Sequence, residues 1–126
     1  MRELLLVGGG GFIGSVARFL LSTAVARVPA DSALRAFPIG TLVVNLLGCF
    51  VIGVLAAIGS RGAGWSDDTR RFLFTGLLGG FTTFSAFGLE TFSLARDGRW
   101  SMAAANIALQ TVGGLLAVWA GYRIAA

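Results

Sequence analysis

Charge along this chain falls almost wholly in three short stretches, RVPADSALRA, SRGAGWSDDTRR and RDGRW, and between them run four apolar segments, roughly 4–26, 37–58, 72–95 and 102–122. Crossing a hydrocarbon core of about 30 Å takes about 20 mostly apolar residues, which each segment supplies. The segments are predicted to be helices, because backbone polar groups in lipid must be satisfied within their own segment. Linkers this short leave no room for a soluble domain, a nucleotide-binding module or a lid. The pattern therefore predicts a single all-α domain over residues 1–126, with four transmembrane helices.

Composition agrees: 56% of the residues are hydrophobic and 13% charged, with a mean hydropathy of +0.81, too apolar for a soluble domain. The net charge of +4 comes from ten arginines, without lysine, against six acids. The arginines stand singly at span ends, the pattern of headgroup anchors and not of a nucleic-acid surface. The lone Cys49 excludes an internal disulfide, and the lack of histidine leaves no transition-metal cluster. The AVA at Ala24–Ala26 imitates a signal-peptidase site, but the apolar run before it is too long for a signal peptide and is interrupted by Arg18.

Arginine counts on the two sides of a membrane set orientation. With four spans, the N-terminus, second linker and C-terminus share one side and the first and third linkers the other, five arginines (2, 61, 70, 71, 123) against four (27, 35, 96, 99). So little bias predicts insertion both ways up and pairing as an antiparallel homodimer; a single orientation set by weaker cues is the alternative. Small residues four apart, at Gly10/Gly14, Gly76/Gly80 and Gly113/Ala117/Gly121, allow close helix packing within or between subunits. LLLVGGGGFIG, with Gly9, Gly11, Gly14 and a later Asp31, imitates a dinucleotide fingerprint. That motif has meaning only in a βαβ unit, and these glycines lie inside a span, where packing explains them better.

Polar side chains inside spans are costly and by default mark a pathway or a contact between helices. Asn45 lies deep in the second span with Thr41 one turn earlier, Asn106 and Gln110 are four apart in the fourth, Arg18 interrupts the first and Glu90 lies toward the end of the third. Interhelical hydrogen bonding is the plainer reading of Asn45, Asn106 and Gln110. Arg18 and Glu90 either pair with each other or extend to the headgroups.

The third span holds GGFTTFSAFGLET. Adjacent Gly79 and Gly80 followed by β-branched Thr82 and Thr83 make a weak point and predict a break in the helix over this stretch. Carbonyls freed at that depth need protein or an ion as partner and suit a hard cation such as Na⁺. Phe84 and Phe87 share a face just beyond the break, and Phe81 stands one turn before them. Ring edges are electropositive, so rings turned edge-on favour an anion, whereas plain packing is the ordinary role of such a pair.

GSVAR in the first span, GTLVVNLLG in the second and GGFTTFSAFGLET in the third make the chain resemble the Fluc (CrcB) family of fluoride channels over essentially its whole length. The resemblance implies a dual-topology antiparallel homodimer in a prokaryotic plasma or inner membrane, with two pathways for passive fluoride export. It implies a central Na⁺ held by the carbonyls of Gly79 and Thr82 from both subunits, and a fluoride pathway along Asn45, Phe84, Phe87 and Thr41. Asn106 and Gln110 fall by position on the pore face of the fourth helix, and Arg18 is a vestibule candidate. Ala86 and Gly88 replace hydroxyls frequent in the family, so the hydroxyl track rests more on Ser85; Asn106 and Gln110 stand where tyrosine and serine are expected. The rival from another class is a small dual-topology, proton-coupled multidrug exporter, which needs a deep carboxylate, here Glu90. A non-transporting assembly subunit is a third reading, and no nucleophile–base pair or carboxylate dyad points to an enzyme.

Overall fold

The computed structural model describes residues 1–27, 34–62 and 64–126; Asp31, the acid of the false fingerprint, lies outside them. Among the described residues there are helices and no strand. Four helices are long and apolar enough to cross a membrane: Arg2–Ala26, Ile39–Ser60, Asp67–Arg96 and Trp100–Ala125. The third begins five residues before its apolar run, at Asp67. Ser66 caps it, its hydroxyl accepting from the Thr69 N–H at 3.2 Å, and Asp67 and Asp68 sit in the first turn, where the helix dipole favours acids. Helix four follows after a tight turn in which Gly98 adopts φ +75. The Arg99 and Gly98 N–H groups bond back to Leu94 at 2.8 Å and Ala95 at 3.0 Å, the paired closure that a left-handed residue permits.

The first helix packs against the N-terminal part of the third, and the second against the fourth. Glycine sets both contacts. A Cβ on Gly10 would stand 2.5 Å from the Phe72 carbonyl oxygen, one on Gly80 2.5 Å from that of Gly11, and one on Gly14 would collide with Leu77 O. Gly53 and Gly121 lie as tightly on Val118 and Phe50 of the facing helix. The Gly10/Gly14 and Gly76/Gly80 spacings are thus consumed inside one chain. At the membrane edge, Arg2 pairs with Asp68 at 2.6 Å and Arg71 with Glu3 at 3.0 Å, bringing the N-terminus and second linker to one end.

Little of the apolar surface is covered. The share buried within each span's apolar window runs from 11% to 22%, and Phe12, Phe19, Phe84, Leu115 and Trp119 stand exposed. Lipid covers such a surface where the chain spans a bilayer, and so can another protein.

Candidate functional site

Within the predicted stretch, the third helix breaks at its threonine end, at Thr82 and Thr83. Gly79–Phe81 is still a helical turn; Thr82 (φ −86, ψ 161) and Thr83 (φ −151, ψ 117) are extended, and the helix restarts at Phe84. Glycine's poor helix propensity is outweighed there by packing, since Gly76 and Gly80 must lie against the first helix. What opens the chain is Asn45, reaching across from the second helix. Its Oδ1 accepts from the Thr83 N–H at 2.9 Å, and its Nδ2 donates to the Thr83 carbonyl at 3.0 Å and to Gln110 Oε1 at 2.9 Å.

These bonds decide which carbonyls are free. In an unbroken helix the Thr83 N–H would bond Gly79 O and the Ala86 N–H would bond Thr82 O. Here the first goes to Asn45, and the second to the Thr83 hydroxyl at 3.2 Å. The carbonyls of Gly79 and Thr82 thus lose their helical donors, and no turn or loop N–H among the described residues replaces them. Two strong acceptors left bare inside a span match what a hard cation requires. Among the described residues no group of three or more His, Cys, Asp or Glu side chains is placed to hold a metal.

Beside the break lies a cavity of about 370 Å³, bounded by Asn45, Gly79, Thr82, Phe84, Phe87 and Gln110, with Cys49 and Thr111 further along. Its walls include both places where the helices widen into π turns, Arg71–Leu78 and Leu109–Gly113, a local feature frequent at functional sites. The Phe84 and Phe87 rings meet at 5.3 Å between centroids and 58° between planes, so one ring offers an edge where the other offers a face. Phe81 is not part of this pair and lies against Gly48 of the second helix. Ser85 is exposed, with its hydroxyl 3.3 Å from that of Thr83.

Gln110 reaches the cavity, and its Nε2 is buried without a partner. Asn106 does not reach it: the residue is wholly buried and donates to the Thr91 hydroxyl at 2.9 Å, which in turn donates to the Phe87 carbonyl at 2.7 Å. Thr41 lines a separate cavity of about 310 Å³ together with Ser15 and Arg18. Its hydroxyl donates to Glu90 at 2.6 Å. Arg18 and Glu90 form no ion pair with each other; Glu90 borders a third cavity toward Asp97 and Arg99. Thr83 was read only as a β-branched residue at the break and not as its cap, and Thr91 was not singled out. Thr83 carries a local signal, a hydroxyl residue directly before a helix start; Thr91 acts through a partner on another helix and has none.

The profile of the family described as "CrcB-like protein, Camphor Resistance (CrcB)" matches residues 5–122. The chain is 50% identical over 124 residues to the "Fluoride-specific ion channel FluC" of Methylobacillus flagellatus, covering 98% of this chain and 94% of that one. It is 47% identical to the protein of the same name from Parabacteroides distasonis, over 96% of this chain and 91% of the relative. A third, from Opitutus terrae, is 45% identical over 97% and 91%.

Proposed function

This chain belongs to the CrcB-like family, and from that premise we propose that it is a fluoride-selective channel. Its working form is an antiparallel homodimer with two pathways, exporting fluoride passively from the cytoplasm across a prokaryotic plasma or inner membrane. The observation that carries the reading is a polar break inside a membrane span, bordered by a phenylalanine pair and an unpartnered amide in one cavity. Fluoride is small and strongly hydrated, so donors must replace its water, and several weak sites in series let it leave again. The edges of Phe84 and Phe87 and the free Nε2 of Gln110 are such donors, without the trap a buried lysine or arginine would make. Both amide protons of Asn45 are engaged, so an ion drawing on Asn45 displaces the Gln110 bond, that partner being a movable side chain and not backbone. Ser85 extends the hydroxyl track beside Thr83, Asn106 supports it from behind through Thr91, and Thr41 and Arg18 border a vestibule on the far side of Thr83.

The carbonyls of Gly79 and Thr82 are the ligands we assign to a central Na⁺. A bound Na⁺ supplies fixed positive charge that offsets the cost of dehydrating an anion nearby. Two carbonyls are few for stripping a hydrated cation, and a second copy across a two-fold axis doubles them. Gly79 and Phe84 stand exposed on the single chain, consistent with a partner covering them. Proton-coupled export would need a carboxylate in the solute cavity, and Glu90 borders another one, held by Thr41.

Fluoride efflux from liposomes holding the purified protein, read with an electrode beside a chloride control, tests the proposal. Rapid fluoride release with little chloride release is expected, and Phe84→Ile is expected to abolish it while the dimer persists. Silence from a folded dimer, or unchanged flux in Phe84→Ile, counts against the channel or against the rings respectively.

A further inference from the structure

We propose that Thr83 is the positioning residue of the cation site, opening both of its carbonyls at once; the inference rests on the Na⁺ reading above. All three polar groups of this residue are engaged, and each bond works toward the same end. The N–H, taken by Asn45 Oδ1 at 2.9 Å, deprives Gly79 O of its helical donor. The hydroxyl oxygen, accepting the Ala86 N–H at 3.2 Å, deprives Thr82 O of its own. The carbonyl, held by Asn45 Nδ2 at 3.0 Å, fixes the peptide in the extended conformation and prevents its return to helix. Without the Thr83 hydroxyl the Ala86 N–H would have no acceptor at this helix start, and the turn that presents Thr82 O would lose one of its three ties.

The backbone bonds survive any side chain, so the hydroxyl can be tested by itself. Valine has the shape and β-branching of threonine and suits the extended backbone, but accepts nothing. In the Thr83→Val chain the Ala86 N–H loses its acceptor, and the extended turn that presents the Thr82 carbonyl is held by the two Asn45 bonds alone. Serine keeps the acceptor and is an equally good cap. Thr83 therefore acts on the cation through the strength of one carbonyl ligand, without itself touching the ion.

The experiment is the thermal unfolding midpoint of the purified dimer, without fluoride, as NaCl replaces N-methylglucamine chloride at constant ionic strength. The midpoint of the native protein is expected to rise with Na⁺. Thr83→Val, or Thr83→Ala if the valine chain does not fold, is expected to need about tenfold more Na⁺ for half the rise, and Thr83→Ser to stay within about twofold of native, following the capping order. An unchanged Na⁺ dependence in the Val or Ala chain overturns the assignment. So does a tenfold loss in Thr83→Ser, whether or not the other two fold. A native protein indifferent to Na⁺ removes the cation reading itself and this inference with it, and is told apart from the other failures by needing no variant.

Discussion

Asn45 and Asn106 carry the same amide on neighbouring faces of the second and fourth helices, and their surroundings make them unequal. Asn45 satisfies the N–H and carbonyl of Thr83 and the oxygen of Gln110, so Asn45→Leu strands three polar groups inside a span. Each stranded group costs about 1–3 kcal/mol. Asn106 donates one bond, to a Thr91 hydroxyl that keeps its own bond to Phe87 O, and its Oδ1 is buried with no partner. Asn106→Leu removes that orphan oxygen together with the bond, and hydrogen bonds between membrane helices average about 0.6 kcal/mol. Unfolding in detergent is therefore expected to show a loss of several kcal/mol for Asn45→Leu, on the order of three stranded groups, and about 1 kcal/mol or less for Asn106→Leu. Equal losses would mean that the two amides are not used as described.

Between helices, contact depends on the absence of side chains. A Cβ on Gly14 meets the Leu77 backbone, whereas one on Gly88 meets nothing within 4 Å in its own chain. Gly14→Ala is expected to lower stability by about 1–3 kcal/mol, the usual cost of overpacking, while Gly88→Ala leaves it level or raises it by up to about 1 kcal/mol. Thermal melts of the two variants side by side measure this. The four helices were legible in the sequence because apolar runs of span length have few other structures open to them. The charged first turn of the third helix was not, since Asp67 and Asp68 lie outside any hydropathy window. The break was legible as a weak stretch from Gly79 to Thr83, but not which residues in it would open, because its cause, Asn45, lies 38 residues away in sequence. Asn106 and Gln110, four apart, read as one stripe on a regular helix. The π turn that begins at Leu109 shifts the second relative to the first, and only Gln110 reaches the cavity.

At the scale of the whole molecule the question is which way up it inserts. The ion pairs of Arg2 with Asp68 and of Arg71 with Glu3 bring the N-terminus and second linker to the same end, as the alternation of four spans requires for the arginine count of five against four. Acids paired with these arginines do little to the topology signal, which follows basic residues in short loops. The proposed antiparallel assembly requires a chain that inserts both ways up, which a one-charge difference permits, and a reporter fused to the C-terminus is then expected to be active on both sides of the membrane. Two lysines added after Met1 tip the count to one side. The biased chain alone is expected to insert one way, to form no antiparallel dimer and to carry no fluoride. Co-expression with a chain biased oppositely, by two lysines at the turn around Gly98, is expected to restore flux, because each supplies the inverted half the other lacks. Full flux from either biased chain alone would overturn the antiparallel assembly, and the pairing of Gly79 and Thr82 carbonyls across a two-fold axis in the membrane plane would fall with it.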